Sequence, residues 1–179
     1  DLDGDGPNEP VLEVSGPISS LTSYDGSIQW LNEMEDEPED ITLEVIEEAD
    51  EHQVFFSASS GLPLAFSDLD TDNNGEPLGV NFIMFPTIEG ASASGSITVT
   101  LVHEPLKPNG GDLDLALSEE GSIDIQTSFD VVVSFFFRKT ALHSSTSASD
   151  GLLPSTSSLQ PRSSFSFFGF FSFDGACSA

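Results

Sequence analysis

The sequence predicts a mainly β protein, an antiparallel β-sandwich with one short helix and a disordered C-terminal tail. Three observations carry this prediction. Apolar residues alternate with polar ones in several short segments, turn-forming sequences such as DNNG and PNGG separate these segments, and a Ser/Phe-rich stretch of low complexity follows them. The 179 residues are enough for one ordinary domain with a core.

The charge balance excludes whole classes of partner. There are 31 acidic residues against four basic ones, which gives a formal net charge of -27. A chain with so few cations has almost nothing to place against phosphates, so we expect it to bind neither nucleic acid nor an anionic membrane. No run of 18 apolar residues occurs, and no membrane span is therefore predicted. The single cysteine, Cys177, excludes an intrachain disulfide.

Composition divides the chain near residue 137. Residues 1–137 hold 29 of the 31 acids, whereas residues 138–179 hold two acids, three bases and many Ser and Phe residues. We expect the first part to be an acidic β-sandwich domain and the second a low-complexity tail. Because the sequence begins at Asp1 without a leader, we expect a processed product or a fragment, with any signal or lipid anchor lying upstream.

The clearest predicted strand is SIDIQTSFDVVVSF. Its polar residues, including Asp124 and Asp130, alternate with one apolar row, as in a sheet with one wet face: Ile123, Ile125, Thr127, Phe129, Val131 and Val133. The segment SITVTLVHE repeats this pattern with Ile97, Val99 and Leu101 inward. Further short strands are predicted for VLEVSG, SIQWLN, QVFFSAS, PLAFSD, LGVNFIMF and LDLAL.

One segment, EDITLEVIEEADEH, has a helical period instead. Ile41, Val45, Ala49 and His52 fall on one helical face, the glutamates fall opposite, and Asp40 is placed as the N-cap. A strand through the same segment is the alternative, but its period fails from Ile46 onward. We predict a short amphipathic helix.

Two acidic loops are candidate calcium sites. Asp70, Asp72 and Asn74 are followed by Gly75, like the first half of a calcium-binding loop in which alternate oxygens converge on one ion. The position of the bidentate Glu is Asn81, and the same residues serve equally as a polar hairpin turn. A second and weaker candidate has the same alternation of acids: Asp1, Asp3 and Asp5.

Evidence for catalysis is lacking in the sequence. His52 and His103 lie far apart along the chain, so a zinc site can be drawn from them and Glu104 but nothing fixes their spacing, and we interpret them as surface or strand-end histidines. The sequence contains no Ser in a strand–turn–helix elbow, no phosphate-binding Gly loop and no Cys cluster. Trp30 shares the strand parity of Ile28 and is predicted to lie in the core.

A resemblance rests on six pieces of the sequence: DLDGDGP, GSIQWLNE, EDITLEVIEEADEHQVFF, DTDNNGEPLG, GSITVTLVHEPLKPN and IDIQTSFDVVV. Over about residues 1–133 these resemble a family of small secreted lipoproteins of flavobacteria and their relatives. The resemblance implies a surface-anchored β domain without known catalytic residues, here lacking its first strand and carrying a tail with no counterpart. Members are often labelled type 1 periplasmic-binding-fold proteins. That fold needs two large α/β lobes, and the 137 strand-rich residues of this sequence cannot form them.

The sequence therefore predicts a non-catalytic binding module, extracellular or anchored at the outer membrane. Its expected partner is a protein or a glycan, no cofactor is required, and calcium is the candidate ion. One alternative is a subunit of a surface assembly, which would form oligomers by adding a strand at an open sheet edge. A second alternative is a carbohydrate-active enzyme, which would need two suitably spaced carboxylates beside an aromatic wall.

Overall fold

A computed structural model describes residues 14–32 and 39–135, together with the backbone of residues 163–171. The helical segments are α1 (Thr42–Glu47), a 3₁₀ turn (Ala49–Glu51) and α2 (Leu113–Ala116). The strands are β1 (Ile18–Ser19), β2 (Tyr24–Asn32), β3 (Glu39–Asp40), β4 (His52–Ala58), β5 (Leu64–Asp68), β6 (Asn81–Pro86), β7 (Ala93–His103), β8 (Ser122–Ser134) and β9 (Ser163–Phe171).

The strands form two sheets. The first has the order β1-β8-β7-β4, and all its pairs are antiparallel except β1 with β8, where Ile18 lies beside Val133. The second has the order β3-β2-β6-β5, and β9 pairs with β2 in parallel. The chain is thus mainly β, with two sheets and few helices, which confirms the predicted sandwich-like fold class.

One apolar core lies between the sheets and is built from both of them. The second sheet contributes Trp30, Phe82 and Met84, all at most 1 % exposed, and the first contributes Ile97 and Val133, which are fully buried. The predicted core position of Trp30 is confirmed. A smaller apolar cluster on the outer face of the first sheet joins Phe55, Val102 and Ala116 of α2.

The alternation predicted for β7 and β8 is confirmed along most of their length. Ile97, Val99 and Leu101 of β7 are buried. In the row of β8 that begins at Ile125, the apolar residues are buried and Thr127 is half-buried. Ile123 is the exception, because it is 45 % exposed. It lies beyond a register shift at Leu101 and Val102, where the regular two-residue period is interrupted.

The predicted helix is confirmed, with a different end. Val45 and Ala49 are buried. The predicted N-cap is wrong, because Asp40 is the last residue of β3 and the cap position is Ile41, which makes no side-chain hydrogen bond to the helix. Asp40 Oδ1 accepts the Thr42 N–H at 3.0 Å from one residue before the cap. His52, however, is the first residue of β4 and not part of the helical face. The helix ends at Glu47, and the 3₁₀ turn then redirects the chain into the sheet.

One predicted strand is wrong, and another lies partly outside the described residues. LDLAL forms α2, because Asp112 caps this segment by accepting the Leu115 N–H at 3.1 Å. Of VLEVSG, the described residues 14–16 are not in a strand, and the short β1 follows them at Ile18.

Of the predicted tail, the structure describes only β9. This strand lies in a segment that the sequence predicts as unstructured, and the other tail residues lie outside the described part.

None of the helices in the described part of the chain has the length and apolar character needed to cross a bilayer.

Candidate metal centre

Two histidines far apart in sequence meet at one end of the first sheet. His52 begins β4, His103 ends β7, and the two residues are direct partners in the antiparallel register. Their rings stack with centroids 5.0 Å apart and planes 15° from parallel. Directly opposed residues share one face of a sheet, so the register itself brings the two imidazoles together.

A carboxylate from the third neighbouring strand completes the cluster. Asp124 Oδ2 lies 3.8 Å from His52 Nε2, and Asp124 Oδ1 lies 3.9 Å from His103 Nδ1. One potential ligand atom of each residue lies within 4.8 Å of the other two. We call these three residues the His/Asp cluster.

A β-bulge in β8 places Asp124 beside the histidines. Leu101 pairs with Ile125 and Val102 with Ile123, which leaves Asp124 as the extra residue of β8. An extra residue turns its neighbours relative to the regular alternation. Asp124 is exposed, as the predicted solvent-facing row of β8 requires, and its carboxylate also lies beside the imidazoles.

The buried member of the cluster, His52, is held in a defined orientation. Its Nδ1 lies 3.1 Å from the Glu48 carbonyl oxygen. A carbonyl can only accept a hydrogen bond, so Nδ1 carries the proton and, in the neutral ring, the Nε2 lone pair points to Asp124. The backbone is also anchored, because the Lys107 ammonium donates to the His52 carbonyl oxygen at 2.8 Å.

Two glutamates surround the exposed side of His103. Glu51 Oε2 lies 3.9 Å from His103 Nε2, and Glu51, His103 and Glu104 form a second group of closely spaced ligand atoms. Glu104 has a φ of 51°, in the left-handed region that is unfavourable for residues other than glycine, and its N–H donates to the Glu51 carbonyl oxygen at 2.7 Å. This end of the sheet thus carries two imidazoles and three carboxylates.

The predicted calcium residue Asp72 is already bound within the protein. Its carboxylate is fully buried and accepts the N–H groups of Asn74 and Glu76 at 2.8 and 2.9 Å and the Lys107 ammonium at 3.1 Å. Burial alone raises the pKa of Asp72, but these hydrogen bonds and the lysine charge outweigh it, so the pKa lies below its ordinary value. The Asp72 carboxylate is therefore already paired with a cation of the protein itself, the Lys107 ammonium.

The other predicted calcium residues also serve the turn. Asp70 Oδ1 accepts the Gly79 N–H at 2.7 Å, and Asp70 Oδ2 accepts both the N–H and the side-chain amide of Asn81. The Asn74 amide donates to Asp50. These bonds match the hairpin-turn alternative for this loop. The second candidate set, Asp1, Asp3 and Asp5, lies outside the described residues.

Sequence reasoning identified His52, His103 and Glu104 as possible ligands but missed Asp124 and Lys107. The histidines could be paired only by knowing the β4–β7 register, and Asp124 only by knowing the bulge. One signal for Lys107 was available: it is the one base among residues 1–137, among 29 acids, so a specific ion pair was to be expected.

Comparison of the chain with protein-family models, with curated proteins and with solved structures finds no match.

Proposed function

We propose that this protein is a non-catalytic binding module, extracellular or held at the cell surface, that takes up a divalent cation as part of its binding site. The single observation that supports this function most directly is the His/Asp cluster. Three adjacent strands bring its potential ligand atoms together at one end of the sandwich, beside Glu51 and Glu104.

The charge of the whole chain favours such a cation. With a formal net charge of -27, the surface attracts divalent cations and is less self-repelling when they bind. Ligands carried by strands are also more rigidly placed than ligands on a loop, so a bound ion would present a fixed surface. A protein or a glycan with carboxylate or hydroxyl groups is the partner that this arrangement fits.

Thermal unfolding of the full chain tests the cation requirement. After treatment with EDTA, the protein is melted with CaCl₂, MgCl₂ or ZnCl₂, and with NaCl at matched ionic strength as the control for simple screening. An ion present at about 100 times its Kd stabilises the folded state by about 2.7 kcal/mol, which raises the Tm by several degrees. A Tm that no divalent ion raises above the NaCl control would contradict the proposal.

A second candidate, a subunit of a surface assembly, is favoured by the pairing of β2 with β9. Nine consecutive residues of β2, Tyr24–Asn32, pair in parallel with β9 along one edge. A strand joined to the sheet by a long connection can be donated to a neighbouring copy. Light scattering over a range of protein concentrations tests this candidate. Assembly requires the average molar mass of the protein to increase with concentration, and a monomer at every concentration would exclude the assembly.

A further inference from the structure

We propose that the His/Asp cluster is a binding site for a divalent transition metal of the zinc class, held by His52 Nε2, His103 Nδ1 and one Asp124 oxygen, with one coordination position open. This inference rests on the proposed uptake of a cation, and it names the ion and its ligands. It differs from the calcium site predicted from Asp70, Asp72 and Asn74 in both place and chemistry.

The donor set selects the class of metal. Imidazole nitrogen is a ligand for zinc, copper and nickel, whereas calcium and magnesium take oxygen ligands almost exclusively. Two histidines with one carboxylate form a known type of three-ligand zinc site. The Asp70–Asn74 loop offers oxygens only, and the Lys107 ammonium occupies its most buried carboxylate.

The distances require only small movements. Ligand atoms about 2.0–2.2 Å from one tetrahedral ion are about 3.4 Å apart. His52 Nε2 lies 3.8 Å from Asp124 Oδ2, whereas His103 Nδ1 lies 3.9 Å from the other oxygen, Oδ1. The separation to the oxygen that binds the ion would shorten by about half an ångström, and rotation of the carboxylate would bring that same oxygen toward the second imidazole. Rotation of the partly exposed Asp124 and His103 side chains supplies this movement, while the buried His52 stays in place.

Both imidazoles have outer partners of the kind that metal-binding histidines use. The Glu48 carbonyl oxygen fixes the Nδ1 proton of His52, which directs Nε2 toward the ion. On His103, Nδ1 faces Asp124 while Nε2 faces the Glu51 carboxylate 3.9 Å away. Glu51 is thus a positioning residue whose carboxylate would accept a hydrogen bond from the Nε2–H of His103 once Nδ1 binds the ion.

Three protein ligands leave one position of a tetrahedral ion open. Sites that only stabilise a fold are closed by four protein ligands, whereas three-ligand sites retain a place for water or a substrate group. His103 and Asp124 are 38 % and 29 % exposed, so the open position is accessible from solvent. A carboxylate or hydroxyl of a partner is the ligand that would replace the water there.

Cobalt titration of the full, EDTA-treated chain tests the site directly, because Co²⁺ substitutes for Zn²⁺ and absorbs visible light strongly in tetrahedral sites. We expect one equivalent of Co²⁺ to give these bands and Zn²⁺ to displace it. The variants H103Q and D124N should each weaken Co²⁺ and Zn²⁺ binding by about 100-fold or more, and E51Q by about 10-fold.

Matched controls separate the site from the general acidity of the surface. Asp130 lies on the same strand as Asp124, is exposed and is far from the histidines in register, so D130N should bind Co²⁺ like the natural chain. D70N should also leave Co²⁺ binding unchanged. Thermal melts of each variant without metal show whether it is folded, so that weak binding is not confused with unfolding.

The outcomes distinguish this inference from the proposed function. If Ca²⁺ or Mg²⁺ raises the Tm while Co²⁺ and Zn²⁺ do not bind, the metal assignment is wrong and the proposed cation uptake stands. If no divalent ion binds, both are wrong. Zinc binding that H103Q and D124N leave unchanged would place the ion elsewhere and overturn the inference, as would cobalt bands of octahedral type.

Discussion

The ring of Phe82 covers Gly26, the residue directly opposite it on the neighbouring strand. The two residues are partners in the β2–β6 register, and a Cβ atom added at Gly26 would collide with three atoms of the ring. Phe82 is fully buried and packs against Phe56 in a tilted arrangement, with ring centroids 4.4 Å apart and planes at 40°. The glycine is therefore required for the close packing of an aromatic side chain onto the backbone of β2.

We expect G26A to lower the free energy of unfolding by about 2–3 kcal/mol, because the buried ring cannot move aside without disturbing Phe56. Urea denaturation measures the change. In the G26A background, F82L should restore part of the loss by removing the colliding ring atoms. S27A, at the exposed next position, is the control and should change stability little. Equal urea midpoints for G26A and the natural chain would refute the predicted collision.

Thr42 satisfies a buried N–H group near the C-terminal end of β2. Its Oγ1 accepts the Trp30 N–H at 2.7 Å, so a side chain takes the place of a backbone carbonyl as the acceptor. T42V keeps the shape of the side chain but leaves this N–H unpaired, so we expect a loss of about 2 kcal/mol. T42S retains the hydroxyl and should lose clearly less. Chemical denaturation of the two variants checks the prediction, which fails if both lose the same amount.

Lys107 links the 3₁₀ turn and the start of β4 to the loop that contains Asp72. Its ammonium donates to the carbonyl oxygens of Ala49 and His52 and to the buried Asp72 carboxylate. K107M removes the charge while preserving most of the side-chain volume, and it leaves the Asp72 charge buried without its partner. Breaking a buried ion pair from one side destabilises by about 3–5 kcal/mol.

The double variant K107M/D72N tests the cause of that loss. It removes both charges, so it should be more stable than K107M alone when both are unfolded in urea. E120Q, at an exposed acidic position, is the control for a change of charge and should have little effect. A double variant less stable than K107M would show that the unpaired charge is not the source of the loss.

Asp72 also makes stability depend on pH in a defined direction. Its pKa in the folded protein lies below the ordinary value of 3.8, so the ionised form is favoured by folding. The resulting stabilisation is fully present above that ordinary value and is lost as the pH falls through the lower, folded-state pKa. We expect the stability difference between the natural chain and D72N to shrink as the pH is lowered below about 4.

Urea denaturation of both proteins between neutral and acidic pH measures this difference. Comparing the two chains cancels the contribution of the other acids, whose protonation relieves repulsion in both. A difference that stays constant over the whole pH range would contradict the predicted role of Asp72.

Local pattern predicted most of the sheet framework. The alternation in β7 and β8 placed Ile97 and Phe129 on the inner face correctly, because a strand with one buried face must repeat every two residues. The same reasoning failed for LDLAL. Five residues are too few to distinguish a strand from a helical turn, and the deciding contact is the Asp112 cap.

The candidate site was less predictable, because it depends on pairing between distant segments. His52 and His103 were recognised as possible ligands, but only the register of β4 and β7 makes them neighbours. The position of Asp124 beside the histidines depends on a β-bulge. A bulge interrupts the two-residue period from which the strand was predicted, so that period could not reveal it. The loop at Asp70 had the opposite outcome: its spacing resembles a calcium loop, whereas its carboxylates are engaged by backbone N–H groups and, at Asp72, by Lys107.

The parallel contact between β1 and β8 governs when this protein can fold. Ile18 is fully enclosed only once Val133 is beside it, and the segments between them must be synthesised first. The sandwich therefore closes late, by a slow search that joins distant parts of the chain. Until then the rows of aliphatic side chains lie uncovered on a polypeptide with a formal net charge of -27, and repulsion between like charges opposes association of its copies.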